Sequence, residues 1–385
     1  MRFIVVVLGI AAAGMSTFLP AGLADAVARD LGTDPGRIHL ATVAYSVTYA
    51  VCVPFTPALG RRLAWHGVIS IGAALLVVAG VLGALAPAYA AFVVSRTIAA
   101  IGAATLVPVL LSTAAAARRP STATGVAFAV LAAATSFTPD LARAFVSRLP
   151  WQLVLMGPAL IGLAAAVVAF AVRGATAAVV GFAVRGATTD RPERPRPVGY
   201  LGTLAACGFW LLLTTVSMAS AYTVFGRSEE LATQVGADVA GSAVFGAGGV
   251  VATPLVGLLL QNRRRHPERL LVGALAVLCL VFLGFVALTH VDGASATGVA
   301  VLFGMWGAAT WSISPVIQRL LLRAAGSQGV VAVGLNAAAL YAGIGAGTAL
   351  GAVSPTIDAG LSIAVLLSAL AALTVLIRSR VAQAP

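Results

Sequence analysis

The sequence is short of charged residues. They make up 9% of its 385 residues, and none of its 24 basic residues is a lysine. A soluble domain carries about 25% charged residues, which cover its surface. The chain also lacks the phosphate-binding pattern G-x-x-x-x-G-K, which excludes ATP drive through such a site within this chain. With 60% hydrophobic residues and a mean hydropathy of +1.01, the composition is typical of a membrane protein.

Cysteine and histidine are too few and too scattered to indicate chemistry. The cysteines, which fall far apart within apolar runs and are interpreted as small core residues, are Cys52, Cys207 and Cys279. The histidines, which are isolated in loops or at the ends of apolar runs, are His39, His66, His266 and His290. We therefore expect no metal, no cofactor and no enzymatic activity, and a polytopic membrane enzyme is the weaker alternative.

Apolar runs near 20 residues recur along the whole chain, and each is long enough to cross about 30 Å of hydrocarbon as a helix. They predict an all-α polytopic membrane protein with twelve spans, at 3–24, 41–60, 67–87, 90–115, 122–145, 151–172, 199–225, 236–260, 269–289, 295–318, 328–351 and 359–378. The first run could instead be a cleaved signal peptide, but it continues past its small residues to Ala24.

A charged, proline-rich stretch divides the spans six and six. Residues 188–200 read TTDRPERPRPVGY, and three prolines in six residues forbid a regular helix. Just before it, residues 165–176 are repeated as 177–188 with one change, Ala169 to Gly181. The second copy is expected outside the bilayer, either on its surface or with no role. The predicted domains are a six-helix bundle at 1–172, a linker at 173–198 and a six-helix bundle at 199–385.

The arginines sort by side of the membrane. Eighteen lie at the termini, in the linker or in loops on the linker side, five lie in loops on the other side, and Arg96 lies within a span. Nine of the twelve acids lie on the side with few arginines. The positive-inside rule then places both termini and the linker in the cytoplasm of a plasma (inner) membrane protein. This explains the net charge of +12 without nucleic-acid binding. The expected partners are the lipid bilayer and a small organic substrate, and a monomer is expected.

Short motifs carry a family resemblance. Two basic loops stand in matching places after spans two and eight, and their motif residues are Gly60, Arg61 and Arg62, then Gly257, Asn262, Arg263, Arg264 and Arg265. Span four contains SRTIAAIGAA with Arg96, and span eleven contains GLNAAALYAGIGAGTALGA. With this architecture, the chain resembles the major facilitator superfamily, most closely its twelve-span drug and sugar efflux branch of proton antiporters.

The resemblance implies two six-helix bundles that rock about a central cavity and export a small organic molecule, with or without a proton gradient. A membrane sensor that keeps this fold without transporting is the alternative. Arg96, a charge inside a span, could relay protons, contact an anion, or bond backbone carbonyls as a structural residue. Three acids at the outer ends of spans are coupling candidates, with a solvated helix end as the alternative for each: Asp25, Asp140 and Asp238. No acid lies at mid-span, which argues against strong proton coupling.

Polar and aromatic residues within spans are candidates for lining an apolar cavity suited to a neutral or amphipathic molecule. They are Ser16, Thr17, Phe18, Trp210, Thr214, Thr215, Trp306, Trp311, Asn336 and Tyr341. Interfacial anchoring is the alternative for Trp210 and Trp311, and helix–helix hydrogen bonding for Asn336. Gly343, Gly347 and Gly351 share one face of span eleven, either for a sliding contact between halves or for plain packing.

Overall fold

Almost all of the described part of the chain is helical. A computed structural model describes residues 2–117, 119–172, 200–261, 266–291 and 294–381. The predicted linker, most of the duplicated segment and the motif residues Asn262, Arg263, Arg264 and Arg265 lie outside the described residues.

The helices follow one another with short connections. In chain order they are α1 (Arg2–Gly22), α2 (Ala24–Asp30), α3 (Pro35–Cys52), α4 (Thr56–Arg62), α5 (Trp65–Ala84), α6 (Tyr89–Ala115), α7 (Pro120–Val146), α8 (Trp151–Leu155), α9 (Gly157–Ala171), α10 (Tyr200–Phe225), α11 (Ser228–Gln234), α12 (Gly241–Gln261), α13 (Pro267–Leu288), α14 (Ala296–Ala325), α15 (Gly329–Val353) and α16 (Ile357–Val381). The 3₁₀ turn Val53–Phe55 extends α3, and α8 and α9 form one span together.

Twelve spans of the described chain are long and apolar enough to cross a membrane, which confirms the predicted fold class. Large apolar side chains point outward from them: Leu212 is 65% exposed, Val251 62% and Leu366 69%. Such exposure suits contact with lipid rather than water. Because the spans alternate in direction, Arg2, Ala171 and Tyr200 lie on one side, called the terminal face below.

Some helix ends differ from the predicted ones. Span two begins at Pro35 rather than at 41, because the Asp34 carboxylate caps the helix by accepting a 2.7 Å hydrogen bond from the Gly36 N–H. The polar loop before it contains α2. Span eight begins at Gly241 rather than at 236, since Gly236 has a φ of +73°, which is incompatible with a right-handed helix.

The glycine stripe of span eleven packs within its own half. A Cβ added to Gly343 would lie 2.5 Å from the Thr215 carbonyl oxygen of α10, and one added to Gly347 would lie 2.4 Å from that of Ala219. The stripe therefore lets α15 and α10 approach closely. Of the two alternatives for this stripe, the contacts of Gly343 and Gly347 agree with plain packing within one half. Gly345, on another face of α15, meets Ser46 of the other half.

Helices α7 and α12 pack together between the two halves, and we call this contact the α7–α12 seam. Toward the face opposite the termini, a Cβ on Gly246 would lie 2.6 Å from the Ser136 Cβ. Toward the terminal face, a Cβ on Gly257 would lie 2.7 Å from the Ser121 carbonyl oxygen. A second contact between halves runs along α3 and α15. The two helices therefore approach each other closely at both ends of the seam, where glycine leaves no room for a side chain.

Candidate functional site

Arg96 lies inside the N-terminal half, seven residues into α6, and is 4% exposed. Its Nη2 donates hydrogen bonds to the Ser16 carbonyl oxygen and, at 3.3 Å, to Ser16 Oγ. Its guanidinium carbon stands 5.2 Å from the centroid of the Tyr45 ring. The Nε has no hydrogen-bond partner among the described residues. Arg96 is thus bonded to α1 and packed against α3, while its Nε–H stays unpaired.

Arg96 is the one charged side chain that is buried among the residues the structure describes. The described acids, by contrast, lie in loops or at helix ends, so the guanidinium charge has no buried carboxylate beside it. A buried charge that faces no opposite charge is expensive in a low-dielectric interior. A second positive charge beside the guanidinium would raise that cost, whereas a neutral or negative group would not.

Thr17 and Tyr341, predicted separately as cavity residues, meet across the two halves. The Thr17 hydroxyl and the Tyr341 hydroxyl lie 3.2 Å apart, and either could donate. The Tyr341 ring stacks on Tyr49 of α3, with centroids 3.7 Å apart and planes 25° apart. Tyr45 lies beside them and donates a 3.3 Å hydrogen bond to the Ala13 carbonyl. We call Thr17, Tyr45, Tyr49 and Tyr341, with Arg96, the tyrosine site.

Sequence reasoning missed Tyr45 and Tyr49. A signal for them existed, since the chain has only six tyrosines and these two lie one helical turn apart within span two. A tyrosine inside a span needs a partner for its hydroxyl, and the Tyr49 hydroxyl has none among the described residues.

Phe18 and Trp306 belong to an aromatic cluster that also joins the halves. Phe18 of α1 stacks on Tyr222 of α10 at 5.5 Å between ring centroids. On the other side, Phe245 of α12 contacts Trp306 edge-on at 5.0 Å. Phe225 bridges these two pairs, at 5.3 Å from Phe18 and 4.9 Å from Phe245. One aromatic side chain of the N-terminal half is therefore seated in an aromatic cluster of the other half.

The remaining cavity candidates divide among three places, one of which is the contact of the buried Trp311 ring with Gly249 of α12. Thr214 bonds Asn336 Oδ1 at 3.2 Å, deep between α10 and α15. Thr215 bonds the Leu211 and Ala339 carbonyls, so it fastens the same two helices. Trp210 lies within α10, where the guanidinium carbon of Arg378 in α16 stands 5.1 Å from its ring centroid. The structure buries Trp210 but does not bring it to the tyrosine site.

Of the three acids, only Asp140 contacts the other half; Asp25 and Asp238 are exposed. Asp140 pairs with Arg143 on its own helix and accepts a 2.8 Å hydrogen bond from the Ser242 hydroxyl of α12. Glu229 completes the group, with Oε1 3.3 Å from the Ser242 N–H and 3.7 Å from Arg143 Nη2. Two carboxylates at the start of α12 suit the positive end of the helix dipole. We call Asp140, Arg143, Glu229 and Ser242 the outer polar group.

The predicted loop motif is only partly described. Gly60 and Arg62 lie in the short helix α4, and the Arg62 side chain is exposed. Gly257 is not a loop residue: the apolar run carries α12 on to Gln261, which places Gly257 in the α7–α12 seam.

The comparison with protein families decides the identity of this architecture. Residues 4–349 match the family described as Major Facilitator Superfamily. The chain belongs to this superfamily. Its members are transporters, so the chain is an integral membrane protein of a transporter family.

Individual relatives agree with this placement. An uncharacterized MFS-type transporter of Bacillus subtilis, YbcL, is 24% identical over 344 residues, covering 88% of this chain and 85% of that protein. A chloramphenicol efflux pump of Mycobacterium tuberculosis, MT0201, is 28% identical over 350 residues, covering 86% of this chain and 80% of that protein. The crystal structure of the human organic anion transporter MFSD10 (TETRAN) matches with a TM-score of 0.67 at 17% identity, covering 97% of this chain and 99% of that one. That likeness shows the fold.

Proposed function

We propose that the chain is a secondary active transporter that exports a small neutral or anionic organic molecule by alternating access. The observation that carries this is the tyrosine site, where Thr17 of one half meets Tyr341 of the other beside a buried arginine. A site built from both halves is taken apart and rebuilt as the halves rock, which is how alternating access exposes a substrate to each side in turn.

Further observations support the parts of this proposal. The arginine-rich side of the sequence supports a cytoplasmic terminal face in a plasma membrane, and division into bundles at 1–172 and 199–385 around a linker. The efflux pump among the relatives supports export. The uncompensated Arg96 charge supports a substrate without positive charge.

Coupling to protons is a separate part of the proposal. One proton moving down about 100 mV supplies about 2.3 kcal/mol, enough for a gradient of roughly 50-fold. No carboxylate is buried among the described residues, so a coupling proton would be taken up at the end of a span. Asp140 is our candidate, because of the three candidate acids it is the one that bonds across the halves.

Flux measurements test the proposal. Purified protein in proteoliposomes is given radiolabelled chloramphenicol, an aromatic carboxylate and a quaternary ammonium dye, and flux is followed with and without a pH gradient. We expect flux of neutral or anionic probes and none of the cation. Flux that persists after the pH gradient is collapsed would remove proton coupling from the proposal. Absence of flux across a broad panel, with correctly inserted protein that still binds a compound, would favour the sensor.

A further inference from the structure

We propose that Thr310, Ser314 and Gln318 of α14 form a second, uncharged subsite that binds an amide or similar carbonyl group of the substrate. This deepens the proposed function and rests on it. The subsite lies in the C-terminal half, apart from the tyrosine site, and its groups can both donate and accept hydrogen bonds without carrying charge.

The three side chains are buried with their polar atoms unused. Thr310 and Ser314 are fully buried and Gln318 is 2% exposed. Neither hydroxyl oxygen has a partner among the described residues, and neither do Nε2 and Oε1 of Gln318. An amide buried with all of its hydrogen-bonding capacity unmet destabilises a protein, so the sequence retains it at a cost in stability.

The free hydroxyls contrast with their neighbours. Serine and threonine inside these spans commonly bond the carbonyl four residues earlier, as Ser312 does to Ala308 at 2.6 Å and Thr253 does to Gly249 at 2.7 Å. Thr310 and Ser314 do not. In addition, Pro315 has no N–H to offer to the Trp311 carbonyl, which leaves an acceptor on the same helix without its usual donor.

The free groups share one face of α14. At about 100° per residue, Thr310, Ser314, Gln318 and Trp311 fall within a sector of about 100°. Trp311 marks where that sector points, because its ring packs on Gly249 of α12 close to Ala132 of α7, in the other half. Helices α14 and α7 are in contact. Gln318 lies seven residues beyond Trp311, on the same side, so it faces the boundary that opens when the halves separate.

Because of this placement, the three side chains are buried only while the two halves are in contact. With the halves together, the atoms of the subsite have almost no accessible surface and no room beside them for water. When α7 moves away from α14, the same atoms line the opened space. A carboxamide or other carbonyl compound can then accept from Gln318 Nε2 and the hydroxyls and donate to Gln318 Oε1. The neighbouring indole of Trp311 supplies an apolar wall.

The test uses a matched ligand pair, naphthalene-2-carboxamide and naphthalene-2-carboxylate, with full-length protein in lipid nanodiscs and calorimetric binding. We expect Gln318→Leu to weaken carboxamide binding roughly tenfold and to weaken carboxylate binding much less, because a carboxylate has no N–H to donate to Gln318 Oε1. Ser314→Ala should weaken the carboxamide roughly threefold. Ser312→Ala, whose hydroxyl is already bonded within its own helix, is the control and should bind both ligands as wild type does.

Thermal unfolding separates a binding role from a structural one. Because Leu replaces an unsatisfied amide with an apolar group of similar size, Gln318→Leu should unfold at the wild-type temperature or above it. An unchanged ratio of carboxamide to carboxylate affinity in both variants would overturn the subsite, as would a lowered unfolding temperature with equal loss of both ligands. Flux in proteoliposomes is measured separately. If the Gln318→Leu protein transported as wild type does, only the proposed subsite would be wrong. If binding depended on Gln318 but no flux occurred, only the proposed transport function would be wrong.

Discussion

The Ser242 hydroxyl of α12 donates a 2.8 Å hydrogen bond to Oδ2 of Asp140 in α7, and this bond joins the two halves at the face opposite the termini. Arg143 pairs with Asp140 and also lies 3.7 Å from Glu229 Oε1, so the bond is part of a network of four residues. A hydroxyl carries a single proton, and the Ser242 hydroxyl is also 3.1 Å from Glu229 Oε1. The hydroxyl can therefore donate to only one of the two carboxylates at a time. Glu229 also accepts a hydrogen bond from the Ser242 backbone N–H.

This bond predicts a coupling between Ser242 and Asp140 that acts on the conformational equilibrium. Ser242→Ala and Asp140→Ala should each favour the state open at the face opposite the termini by about 0.5–1.5 kcal/mol, reduced by the partial exposure of the group. Because the two changes break the same bond, the double variant should shift the equilibrium by less than the sum of the single shifts. Distances between spin labels on the two halves measure the populations. Additive shifts would mean that the bond does not act as a latch.

A second prediction concerns Arg96. Arg96→Ala should reduce flux at least tenfold, because it removes both bonds to Ser16 and the contact with Tyr45, together with the one buried charge among the described residues. Arg96→Lys keeps the charge but not the forked geometry, and should restore only part of the flux. Arg148→Ala, at an exposed loop position, is the control. If correctly inserted Arg96→Ala protein remained fully active, the proposed role of Arg96 would be wrong.

The twelve-span architecture could be predicted from the sequence, whereas the contacts between the two halves could not. A span is indicated by about twenty consecutive apolar residues, each of which adds to the signal. The contact between Thr17 and Tyr341 depends on one residue pair 324 positions apart. Both were predicted as cavity residues, but nothing local marks them as partners. Tyr45 and Tyr49 were missed because an aromatic residue inside a span has the same local pattern whether it packs on its own half or faces the other.

Two candidates show the same limit from the other side. Trp210 has the residue type and the setting of a cavity wall, but it packs beside Arg378 of α16 instead. The Gly343 stripe has the spacing of a close helix contact and makes one, but with α10 of its own half. Spacing indicates which face of a helix approaches a neighbour closely. It does not indicate which neighbour that is, because this is decided by tertiary packing.

A third prediction uses the only described ion pair with resolved pKa shifts outside the spans. Arg227 donates two hydrogen bonds to Glu230, of 2.8 Å and 2.7 Å, and these bonds hold the pKa of Glu230 below its ordinary value. A carboxylate with a lowered pKa in the folded state stabilises that state at neutral pH, and this stabilisation is lost as the pH falls below about 4.3. Since the pair is exposed, the effect should stay within about 1 kcal/mol. Thermal unfolding of wild type and Glu230→Gln between pH 7 and pH 3 measures it. The two curves should converge at low pH, and curves that stay parallel would contradict the assignment.

The last prediction sets the two ends of the α7–α12 seam against each other. Gly257→Ala would place a methyl group 2.7 Å from the Ser121 carbonyl oxygen, so the halves must separate slightly at the terminal face. Gly246→Ala would place one 2.6 Å from the Ser136 Cβ and must separate them at the opposite face. We therefore expect opposite shifts in the conformational equilibrium, with slower flux in both variants because each disfavours one state of the cycle.

Alkylation of single introduced cysteines at each end of the seam reads the two shifts separately. Gly257→Ala should speed labelling at the terminal face, and Gly246→Ala should speed it at the other. Gly208→Ala is the control, since a methyl group there meets nothing within 4 Å. If both seam variants speeded labelling at the same face, the two ends of the seam would not open independently of each other. Rocking would then have to take place at the contact between α3 and α15, where Gly345 meets Ser46.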